Sequence, residues 1–64
     1  MIYDNVKELA DKKGLSIREV EIRAGLGNGI IGKWKTSSPV VANLCAVADV
    51  LGVTATRLMR GEKE

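Results

Sequence analysis

The residue types that make and break bonds are scarce in this chain. It contains no histidine, so no side chain has an unperturbed pKa near neutrality. Cys45 is the only thiol, with no imidazole to activate it and no second cysteine to pair with. A structural zinc would need four Cys- or His-type ligands, which the composition does not supply. No acid/base pair, nucleophile or metal cluster is visible, so the sequence argues against an enzyme, and it implies no cofactor, metal or small-molecule substrate. The distinctive stretch is residues 25–35, Gly-Leu-Gly-Asn-Gly-Ile-Ile-Gly-Lys-Trp-Lys. Its glycines at 27, 29 and 32 each cost roughly 0.5–1 kcal/mol in a helix relative to alanine, but they also let another surface approach closely. Propensity alone makes this a loop. Ile31 and Trp34, three residues apart, nevertheless mark one buried face, which predicts a short helix held by tertiary packing.

Positioning that stretch falls to a small scaffold. Sixty-four residues are one domain, and such a domain buries only about 60% of the surface its unfolded chain exposes. Without disulfides or zinc it depends on good helix packing, helped by self-association or a partner. Residues 1–35 carry seven Lys/Arg against five Asp/Glu, and residues 36–64 three of each, so the excess of +2 lies in the first half. Between Thr36 and Thr56 the sole charge is Asp49, but Pro39, Asn43, Asp49 and Gly52 interrupt any membrane span. The start, Met1-Ile2-Tyr3-Asp4, lacks the basic and apolar character of a signal peptide. A cytoplasmic protein with no membrane partner is expected.

Periodicity predicts five helices. In the first, Val6, Leu9 and Ala10, with Ile2, form the apolar face, and Gly14 ends it. Ser16-Ile17-Arg18-Glu19 has capping-box spacing, with Leu15 placed as the apolar staple, and opens a second helix that runs to Ala24 and stops at Gly25. The glycine-rich third helix is followed by a turn, Thr36-Ser37-Ser38-Pro39. In the fourth, Val41, Leu44, Val47, Ala48 and Leu51 share a core stripe that ends at Gly52. Thr54 caps a fifth, through Leu58 and Met59 to Gly61. Residues 1–61 thus form a compact all-α domain, and residues 62–64 a frayed tail.

Helix 2, the glycine turn and helix 3 have the size of a helix-turn-helix. Around Gly25, Val20, Ala24, Leu26, Ile31 and Trp34 occupy the offsets at which the phage-repressor and Cro-type (XRE-like) helix-turn-helix regulators carry small or apolar residues. The chain resembles that family over nearly its whole length, including GLSIREVE, KWKTSSP and NLCAVADVLGVTATRLMRG. The resemblance implies a five-helix repressor-like fold whose third helix enters the DNA major groove. One departure is Glu21, where the family has a small residue beneath the crossing helix. Its stem is expected to lie sideways.

The same resemblance maps the base- and phosphate-reaching positions onto Gly27, Asn28, Gly29, Gly32 and Lys33. Three of these have no side chain. Asn28 can pair with an adenine edge, Lys33 with a guanine or a phosphate, and Ile30 can touch a thymine methyl. Arg18, Arg23, Lys35, Ser37 and Ser38 are backbone-contact candidates. Ile17 stands where the family often has a phosphate-binding glutamine. Lys33 and Lys35 are equally readable as solvated charges, and Arg18 as a helix-surface partner of Glu21.

Two functions follow. One is a DNA-binding transcriptional regulator of phage or prophage type, of Cro size or an isolated DNA-binding domain, acting as a homodimer on double-stranded DNA. The alternative is an antirepressor-like module that keeps the fold and packs against a repressor protein. An apolar outer face on the fourth helix supports association in either case, with Cys45, Ala46, Val50, Leu58 and Met59 as its expected surface.

Overall fold

The computed structural model describes residues 1–61, and among them the chain is all-helical with no strand. Four α-helices form: α1 (Ile2–Lys12), α2 (Ile17–Ala24), α3 (Val41–Leu51) and α4 (Ala55–Arg60). The expected third helix is instead a single 3₁₀ helix, Ile31–Lys35, preceded by a turn over residues 28–30. This corrects the five-helix expectation. A segment with glycines at 27, 29 and 32 has too little α propensity to sustain the longer ladder, and 3₁₀ geometry serves runs this short. The tail expected at residues 62–64 lies outside the described residues.

Backbone closure explains why α2 ends where it does. Gly25 adopts φ 76°, ψ 25°, a left-handed conformation that glycine reaches without strain. Its neighbour Leu26 then donates its N–H to Glu21 O at 2.8 Å, the six-to-one bond of a Schellman motif. The same bond, Leu15 to Ala10 after α1 and Val53 to Ala48 after α3, closes two further helices. In all three the residue after the glycine is apolar and packs against the core, which fixes the exit direction of the chain. At the start of α2 the capping box is complete: Ser16 Oγ accepts from the Glu19 N–H at 3.0 Å, and Glu19 accepts from the Ser16 N–H at 2.9 Å. Thr54 caps α4 through the Arg57 N–H at 3.1 Å.

The core joins all these elements. Val6, Leu9 and Ala10 of α1 meet Val20, Ile31, Trp34, Leu44, Val47, Ala48, Leu51 and Leu58 in one cluster. α1 packs against every other helix, while α2 packs most heavily on α3. Asn5 of α1 donates its side-chain amide to Leu58 O at 2.6 Å, tying the last helix to the first.

Two sequence expectations fail here. Val41, expected on the core stripe, is 75% exposed, because it is the first residue of α3 and lies beyond the edge of the core. Leu58, expected on an association surface, is fully buried, while its neighbour Met59 is 53% exposed. A helix of six residues directs adjacent side chains to different sides, and the core takes Leu58.

Candidate functional site

The site expected from the sequence is the polypeptide between the end of α2 and the start of α3. Ile31 is fully buried and Trp34 nearly so, which anchors the 3₁₀ helix on its inner edge. With three residues per turn, Ile31 and Trp34 share that edge, Gly32 and Lys35 take a second, and Lys33 a third. The outer edges are therefore set by the two anchors. This helix packs chiefly against α1.

A buried carboxylate ties it to α2. Glu21 is 2% exposed, and its side chain turns inward. One oxygen accepts the Ile31 N–H at 2.9 Å; the other accepts the Gly29 N–H at 3.3 Å and faces an Arg18 guanidinium nitrogen at 3.3 Å. This corrects the expectation of a sideways stem. The amides at the start of a short helix have no partner within it, and a buried carboxylate needs donors. Each group satisfies the other. Gly29 sits at φ 87° between these two contacts, a conformation that side-chain-bearing residues adopt with difficulty.

Around this frame the candidate contact residues are distributed as follows. Gly27, Asn28, Gly29, Lys33, Lys35, Ser37 and Ser38 are exposed; Ile30 and Gly32 are half-buried. Arg18 and Arg23 are exposed on α2. Arg18 forms the ion pair with Glu21 that its helix spacing allowed. The Lys35 ammonium lies 4.7 Å from the centre of the Tyr3 ring, a cation–π contact that draws it towards α1. Lys33 O accepts the N–H groups of both Thr36 and Ser37, at 3.1 and 3.0 Å, and this folds the following turn back beside the helix end.

The three glycines are not equivalent. Gly29 needs its positive φ. A Cβ at Gly32 would meet open space, and one at Gly27 only ordinary contact with Ile30 at 3.7 Å. Local structure thus explains one glycine of the three.

On α3, Val41, Ala42, Cys45 and Asp49 form the exposed stripe, flanked by half-buried Asn43, Ala46 and Val50. Val41 and the preceding Val40, 61% exposed, extend its apolar end. A groove between the N-terminus and the end of the 3₁₀ helix is lined by Met1, Ile2, Trp34, Thr36, Ser37, Ser38 and Met59. No helix among the described residues is long and apolar enough to cross a membrane.

Sequence reasoning missed the carboxylate bridge from Glu21. The available signal was an acidic residue at a position facing the core, four before the turn glycine. Compared with protein-family models, curated proteins and solved structures, the chain matches none.

Proposed function

We propose that the chain is a DNA-binding regulator in which α2, the Gly25 turn and the 3₁₀ helix serve as a shortened helix-turn-helix. The observation that carries this reading is the division of the 3₁₀ segment. Ile31 and Trp34 are locked into the core while Asn28 and Lys33 stay exposed on a frame fixed from both sides. A reading element needs this combination, because base edges discriminate only when donors and acceptors are held in place. Asn28 supplies the amide for an adenine edge and Lys33 a cation for guanine or phosphate. Arg18, Lys35 and Ser37 supply contacts to the DNA backbone. Gly32, where nothing in the fold forbids a side chain, leaves room for close approach of the duplex.

Titrating labelled duplex at low and moderate salt tests the reading. Binding should weaken with salt along a slope that reports several phosphates. Lys33→Ala should reduce that slope by about one and lower affinity for all duplexes. Binding insensitive to this substitution, with no preference over random sequence, would remove the reading.

A second reading rests on α3. Its exposed stripe is apolar apart from Asp49, and such a surface fits association better than solvation. A homodimer through Val41, Cys45, Ala46, Val50 and Met59 is compatible with DNA binding, since two-fold symmetry would pair two half-sites about one helical turn apart. An antirepressor-like module would use the same stripe against a repressor. Such a module predicts a stable protein complex and duplex binding no tighter than non-specific.

A further inference from the structure

The carboxylate of Glu21 is a costly group to bury, and hydrophobic packing would have filled the same volume without the cost of desolvating a charge. What distinguishes it is the identity of its three partners. Two are the amides of Gly29 and Ile31, at 3.3 and 2.9 Å: the first follows Asn28 directly in the turn over residues 28–30, and the second opens the 3₁₀ helix. The third is Arg18 at 3.3 Å, whose side chain remains about half exposed. A guanidinium has five N–H donors in a rigid fork, so Arg18 can keep its bond to Glu21 and still offer N–H groups to an anion outside.

We propose that Glu21 is a positioning residue for DNA recognition: one carboxylate sets both the turn that presents Asn28 and the guanidinium that meets the phosphate backbone. The inference rests on the DNA-binding reading above. It assigns a role to a residue that touches no DNA itself. Glu21 engages the amides of Gly29 and Ile31 internally, so the anion contact beside them passes through Arg18. Base contact through Asn28 and phosphate contact through Arg18 are thereby coupled.

Glu21→Gln keeps the side-chain volume and one acceptor oxygen, but loses the second acceptor and the charge that holds Arg18. Glu21→Met removes all polar contact and is the harsher variant; if it fails to fold, Glu21→Gln alone decides. The probe is the duplex enriched by the wild-type protein from a randomised library two helical turns long, compared with an unrelated duplex of equal length. Amide exchange of the DNA-free protein is followed by NMR in parallel.

In Glu21→Gln the Gly29 amide should exchange about tenfold faster, and the ratio of affinities for enriched over unrelated duplex should fall about tenfold. A purely structural role would lower both affinities together with the folded fraction and leave that ratio unmoved. Restoring the ratio with Glu21→Asp would require the shorter side chain to reach both amides, so that variant should not rescue it. An unchanged ratio in a folded Glu21→Gln protein overturns the proposal while leaving the DNA reading intact. A wild-type protein that enriches no duplex refutes the DNA reading and the proposal with it, before any variant is made.

Discussion

The segment from Gly25 to Lys35 and the helix from Val41 to Leu51 are both eleven residues long, and they are held in opposite ways. α3 is a regular helix closed by backbone bonds alone at both ends, with no side-chain cap at Val40 and a left-handed glycine at Gly52. Its Leu44, Val47, Ala48 and Leu51 are buried together, so its stability is spread along its length. The 25–35 segment has one five-residue 3₁₀ helix, two buried apolar side chains, and a carboxylate from a neighbouring helix that replaces the missing intrahelical bonds. The contrast shows how a chain with weak local propensity is still given one conformation. A few long-range contacts substitute for many short-range ones, and the exposed side chains are released from structural duty.

The largest effect that sharpens this comparison is at Trp34. Its removal as Trp34→Ala should cost about 3–5 kcal/mol, read as a lowered urea midpoint, because one of only two anchors is lost. Leu51→Ala in α3 should cost about 2–5 kcal/mol, but the helix should persist locally. Exchange protection in residues 31–35 that survives Trp34→Ala would break the distinction between concentrated and distributed anchoring.

Next comes Glu21. Glu21→Ala leaves the Gly29 and Ile31 amides without a buried acceptor, and about 2–3 kcal/mol of stability should be lost. By comparison Ser16→Ala, which removes an exposed cap of α2, should cost about 1 kcal/mol. If urea unfolding ranks the two in the reverse order, the inward carboxylate is not the tie that holds the segment.

The glycines give a smaller effect with opposite signs. Gly29→Ala should destabilise by about 1–2 kcal/mol, since φ is 87° there. Gly32→Ala, facing open space, should stabilise by about 0.4–1 kcal/mol yet weaken binding to duplex. Stabilisation without any loss of binding would show that close approach at Gly32 is not used.

The smallest effect is electrostatic and lies in the cap of α2. The bond from the Ser16 backbone N–H, followed by the Ser16 side chain, holds the Glu19 carboxyl below its ordinary value. A depressed folded-state value means the contribution is complete above the unfolded value and is lost as pH falls through the folded one. The urea midpoint of wild type should therefore drop more on acidification through the carboxylate range than that of Glu19→Gln. Parallel curves would remove Glu19 from the acid response. Glu19 is solvent-exposed, so the difference is modest and shrinks with added salt.

Much of the scaffold is legible in the sequence because its signals are local. Gly14-Leu15, Gly25-Leu26 and Gly52-Val53 each announce a helix stop followed by an apolar residue that seals it. Ser16 and Glu19 announce a start. Ile31 and Trp34 identify the buried edge of the weakest element even where propensity opposes a helix. What the sequence does not announce depends on residues far apart. How the turn over residues 28–30 and the start of the 3₁₀ helix are held depends on a carboxylate eight and ten residues earlier. Periodicity also extends the α3 stripe to Val41, where the opposing core has already ended, and it cannot tell which of Leu58 and Met59 faces inward. Among the candidate site residues the exposure of Lys33 follows from the anchors and the Arg18–Glu21 pair from its helix spacing, whereas the contact of Lys35 with Tyr3 needs the folded chain.

The most direct measurement is a chemical-shift map of the ¹⁵N-labelled protein titrated with the enriched duplex. Perturbations should concentrate at Arg18, Asn28, Gly32, Lys33 and Ser37, with Val41, Ala42 and Cys45 shifted only where dimerisation also occurs. A map confined to α3, or one that moves no resonance between Gly25 and Ser38, would contradict the account.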